Sequence, residues 1–99
     1  MTWTEMKTAI DPVSAINVAI IDKMKSVFPF TVIDGITVFS LPDGLFMNVF
    51  SMKGNDFDAL GMEYGEKQDF QTDDGDLYFI SDYESIDDMF QAMLEETRR

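Results

Sequence analysis

The chain contains no cysteine and no histidine, and only seven lysines and arginines stand against nineteen aspartates and glutamates. Each shortage excludes something. Without cysteine there is no disulfide framework, no thiol nucleophile and no thiolate metal site, and nothing points to an oxidising compartment. Without histidine the usual general base near neutral pH is missing, as is the commonest ligand for zinc and related metals, so histidine-based triads and zinc sites are out. No apolar run approaches the ~20 residues that span a bilayer, and the N-terminus lacks the basic region and unbroken apolar stretch of a secretory signal. A cytoplasmic protein is the expectation. Neither a G-x-x-x-x-G-K-[ST] loop nor a G-x-G-x-x-G turn occurs, so the common phosphate-binding devices are absent.

What remains is a carboxylate-only chemistry, for which acids are plentiful but nothing else is present. A chain of 99 residues also has little room to enclose a substrate. The expectation is a protein that is not an enzyme and needs neither metal nor cofactor. It is expected to be one domain, residues 1–99, because this length does not support two independent cores. Hydrophobic content of 45%, with nine Phe, three Tyr and one Trp, is ample for a packed interior.

Local signals divide the chain into elements. Thr2 with Glu5 three residues on is a capping box for a short helix whose Trp3, Met6 and Ile10 share a face. Asp11 followed by Pro12 starts a second helix, predicted to run to about Phe28 before Pro29 stops it, with Val13, Ile16, Ile20, Met24 and Val27 facing the core. The period then changes. Residues 30–34, 36–41 and 45–53 are rich in β-branched and aromatic side chains, and Asp34-Gly35 and Pro42-Asp43-Gly44 supply the turns of a three-stranded meander.

Residues 54–65 carry a weak pattern with three glycines and read as a loop with a helical turn near 56–60. A second hairpin is predicted from strands 67–72 and 77–81 around Asp73-Asp74-Gly75-Asp76. Ser85 caps a last helix in which Ile86, Met89, Phe90, Met93 and Leu94 form an apolar stripe. This stripe is expected to lie buried on the sheet, so that Phe90→Ala removes about 3–5 kcal/mol. The fold class that follows is α+β, an antiparallel sheet of about five strands with an N-terminal and a C-terminal helix packed on one face.

Charge is distributed unevenly. Residues 1–54 hold five acids and four lysines, a net of −1, whereas residues 55–99 hold fourteen acids against Lys67, Arg98 and Arg99, a net of −11. The whole chain, at −12, exceeds the magnitude of ~2–8 that keeps a small domain soluble, and a one-signed field repels itself and costs stability. The partner-binding residues it nominates are Asp73, Asp74 and Asp76 on the hairpin and Asp87, Asp88 and Glu95 on the solvent side of the last helix. Such a surface repels nucleic acid and anionic membrane and attracts a basic protein surface, above all the groove of a nucleic-acid-binding protein. The expected function is therefore a non-catalytic inhibitor or regulator acting on such a groove. Its sharpest form is a nucleic-acid mimic of the kind found among phage-borne inhibitors of host defence, anti-CRISPR proteins included. That analogy rests on size, charge and absent catalytic residues, and no motif ties the chain to any one family.

Two other features enter. Thr72-Asp73-Asp74-Gly75-Asp76 has the composition of a calcium loop, but with Gly75 at the invariant glycine position Phe70 falls on the first ligand and Ser81 on the bidentate glutamate. It reads as a plain turn. In the third strand Leu45, Met47 and Val49 point one way and Phe46, Phe50 and Met52 the other, so both faces are apolar. With helices on one face only, Phe46, Phe50 and Met52 are the alternative site, a protein-interaction or dimerisation surface.

Overall fold

A computed structural model describes residues 2–55, 57–68 and 74–98, with Asp74 described in its backbone only. Five strands form one antiparallel sheet in the order β1 (Phe30–Ile33), β2 (Ile36–Ser40), β3 (Phe46–Lys53), β4 (Asp58–Gly65) and β5 (Asp74–Phe79), each paired with its neighbour in the chain. Helices α1 (Trp3–Lys7) and α2 (Pro12–Lys25) precede the sheet and α3 (Ile86–Glu96) follows it. The α+β architecture is that of the sequence, a meander with its helices on one face.

The starts of the elements follow their local chemistry. Thr2 and Glu5 form the reciprocal capping box of α1. Asp11 accepts hydrogen bonds from the Ser14 backbone N–H (3.3 Å) and hydroxyl (2.8 Å), which hold its carboxyl below the usual range. Asp34 and Gly35, at φ 52° and 81°, are the left-handed pair of a two-residue hairpin turn, and Gly44 at φ 89° closes the next connection. Ser85 accepts from the Asp88 N–H at 3.0 Å and caps α3. Ser85→Ala should lower the unfolding free energy by about 1 kcal/mol, with Ser85→Asp close to the parent, in chemical denaturation.

Beneath the helices the core joins Val13, Ile16, Ile20 and Met24 of α2 with Phe39, Met47, Leu60 and Met62 of the sheet and with Met89, Met93 and Leu94 of α3. Helix α2 crosses β3 and β4 and also meets α3.

Several sequence expectations are corrected. Ile10 is fully exposed, because α1 ends at Lys7. Helix α2 stops at Lys25, and Val27 is exposed. Pro29 disfavours a helical conformation at Phe28, so the chain unwinds a turn early. Ile86 and Phe90 are half-buried, the Phe90 ring lying under the Lys23 ammonium at 5.7 Å, so only three of the five stripe residues are fully enclosed.

The largest correction concerns residues 54–65, where a loop was expected and β4 is found, pairing with β3 over eight positions from Lys53↔Asp58 to Phe46↔Gly65. Its Leu60 and Met62 enter the core, while Gly61 lies on the other face directly under Phe50. A Cβ at Gly61 would meet the Phe50 ring at 2.2 Å. Glycine is thus present for the close approach of a neighbouring ring, which its low strand propensity does not reveal. The last hairpin shifts accordingly. Residues 67 and 68 are not strand, the rest of the expected strand 67–72 and the turn residue Asp73 lie outside the described residues, and β5 gives way at Ile80 to a single 3-10 turn. Gly75 and Asp76 belong to β5 and not to a turn.

Candidate partner-binding surfaces

Position in the sheet decides which acids reach solvent. Asp76 opposes Met62 across β4 and β5, so it shares the helix side of the sheet with Tyr78 and is half-buried. It lines a cleft with Asp43, Leu45, Tyr64, Glu96 and Thr97, between the β2–β3 turn and the C-terminal end of α3. Burial, reinforced by Tyr64, Glu96 and Asp76, pushes the Tyr78 phenol far above its ordinary range, and its hydroxyl has no hydrogen-bond partner among the described residues. Asp43 and Glu96 were not nominated from the sequence. No local signal links them to Asp76, since only the meander and the return of α3 bring the three together.

On α3 the acids separate by direction. Asp87 points back to α2 and forms an ion pair with Lys23 at 3.1 Å. Asp88 and Glu95 are exposed, two turns apart along the helix or ~10.5 Å, with Gln91 between them. Asp82 and Glu84, just before the helix, are exposed as well. Asp88 also lies in the first turn, at the positive end of the helix dipole. Of the six nominated acids, the structure describes the side chains of four, and these differ in setting. Asp88 and Glu95 make an outward ridge, Asp87 is exposed and ion-paired with Lys23, Asp76 lines the cleft with Asp43 and Glu96, the Asp74 side chain is not described, and Asp73 lies outside the described residues. Among the described residues no group of three or more His, Cys, Asp or Glu is placed to hold a metal ion.

The helix-free face of the sheet has a different character. Phe46 and Phe50 are half-buried, Phe50 against Gly61, and Met52 is 41% exposed. Met52 is joined at this end of the sheet by exposed Phe57, Leu77 and Phe79, with the Phe57 and Phe79 rings edge to face at 5.5 Å. Register places Ala59 between Met52 and Phe79, and Gly61 between Phe50 and Leu77. Phe57, Leu77 and Phe79 were not nominated, because residues 54–65 were not assigned to a strand and their neighbours could not be placed. Asn48 and Glu63 pair across β3 and β4 on this same face, the amide donating to the carboxylate at 2.9 Å.

No helix among the described residues is long and apolar enough to cross a membrane. No family model matches the chain, and no curated protein or solved structure is measurably similar to it.

Proposed function

We propose that this chain is a cytoplasmic, non-catalytic acidic protein that inhibits or regulates a nucleic-acid-binding protein by docking on its basic groove. One observation supports the reading above others: Asp82, Glu84, Asp88 and Glu95 stand exposed along α3 and its approach, within a half-chain of net charge −11. Carboxylates held on a rigid helix meet a basic groove without first being ordered, which preserves affinity. The ridge is far sparser than duplex nucleic acid, which carries one charge per ~1.7 Å of axis. It therefore supports contact with part of a groove, and the full nucleic-acid mimic additionally requires the acids of residues 69–76.

The test is competition. Proteins retained on the immobilised chain at low ionic strength should be released both by salt and by duplex or single-stranded oligonucleotides that fill the same groove. Retention that persists under saturating oligonucleotide would remove the groove reading. The exposed Met52, Phe57, Leu77 and Phe79 favour a second reading, a protein-interaction module using the helix-free sheet face. Binding through that face would resist salt.

A further inference from the structure

The two edges of the sheet are chemically unlike. Strand β5 carries Asp74 and Asp76, and acidic residues at an edge discourage pairing with another strand. Strand β1, Phe-Thr-Val-Ile, has no charge and no proline within it, and all four residues are exposed, Phe30 at 45% and Val32 at 56%. Among the described residues it pairs with β2 alone. The Ser40 N–H donates to the Pro29 carbonyl at 2.9 Å, so the alternation of an antiparallel ladder turns Thr31 and Ile33 toward β2 and leaves the N–H and C=O of Phe30 and Val32 directed outward. This edge lies in the half of the chain whose net charge is −1, so a second copy meets less repulsion here than at β5.

We infer that β1 is a self-association edge, pairing antiparallel with β1 of a second copy to extend the sheet from five strands to ten. A two-fold axis normal to the sheet keeps the helix faces of both copies on one side, which restricts the register to residues on the same face. Placing Thr31 opposite Thr31 of the second copy sets Phe30 opposite Val32 twice, and these are the residues with free backbone groups. Four interchain hydrogen bonds form, and each Phe30 ring packs on a β-branched neighbour. Charge favours the same occupant. The Lys25 ammonium stands 5.2 Å from the Phe30 ring, and Asp34 follows Ile33 at the other end of the strand, so the two-fold brings each Lys25 alongside the second copy's Asp34. A four-residue strand buries little area, so the association is weak and transient. It should also strengthen with salt, because two chains of −12 repel at long range and screening relieves this.

A chain without cysteine allows a direct test. In this register Thr31→Cys places two thiols in a non-hydrogen-bonded antiparallel pair, within reach of a disulfide. Thr31→Cys should cross-link to a covalent dimer at least about tenfold faster than Val18→Cys, an exposed position on α2 away from the edge, because pairing raises the effective thiol concentration. The rate should rise between low and moderate salt. Adding Val32→Pro, which deletes an outward N–H and leaves the β2 ladder intact, should return the rate to that of Val18→Cys. Equal rates for Thr31→Cys and Val18→Cys overturn the proposal, and so does rapid cross-linking that survives Val32→Pro with the fold retained by circular dichroism. Should the proline variant unfold, Lys25→Glu replaces it. That change should slow cross-linking more than Lys53→Glu, an exposed position at the end of β3 that alters net charge equally, and equal slowing overturns the register.

Discussion

Phe39→Ala should lower the unfolding free energy by about 3–5 kcal/mol, a large share of the roughly 5–15 kcal/mol that holds a small domain folded. Phe39 is fully enclosed on the helix side of β2, among the residues that join α2, α3 and the sheet. Truncation leaves a cavity bounded by three elements that cannot all close on it. Phe90→Ala should cost distinctly less, because that ring is only partly buried, packing at the margin of the core beneath the Lys23 ammonium. Parallel denaturation curves for the two variants check the ordering. If Phe90→Ala proves the more damaging, α3 carries more of the core than its burial indicates.

Charge reversal at Glu95 should slow association with the basic partner by about tenfold or more at low ionic strength, with a smaller change in the dissociation rate. The side chain is exposed near the end of α3 and takes no part in capping, where only the Glu95 carbonyl is used, so the fold is expected to survive. Asp88→Lys should act in the same direction but also removes a favourable charge from the first helical turn, and its binding data require a stability measurement beside them. Asp87 is the poorest probe of the three, since reversal there breaks the pair with Lys23 and changes the α2–α3 contact. The matched control is Asp22→Lys, an exposed position on α2 that alters net charge by the same amount without touching α3's own acids. Equal slowing by Glu95→Lys and Asp22→Lys would mean that overall charge steers the encounter and the ridge of α3 does not. The sign of the salt response separates this contact from the edge pairing of β1: added salt weakens the first and strengthens the second.

Both effects depend on surfaces that were legible in the sequence to different degrees. The caps at Thr2, Asp11 and Ser85, the left-handed turn at Asp34-Gly35 and the helical spacing of Val13, Ile16, Ile20 and Met24 are each satisfied by residues a few positions away. They are therefore determined by the chain alone. From them come the start of every helix, the β1–β2–β3 meander and the side of α2 that enters the core. The excess of acids beyond residue 54 is likewise a property of the sequence. Strand β4 is not. Its two glycines argue against a strand until Phe50 of β3 is seen lying across Gly61, an interaction that exists only once the two strands are paired. The placement of β5, the cleft that Asp76 lines with Asp43 and Glu96, and the apolar neighbours of Met52 all depend on that strand. The pairing of Asp87 with Lys23 depends on how α3 returns against α2. Only the tertiary structure decided which acids stay free, because a carboxylate's surroundings are set by elements distant in sequence, whereas a cap or a turn is completed by its own neighbours.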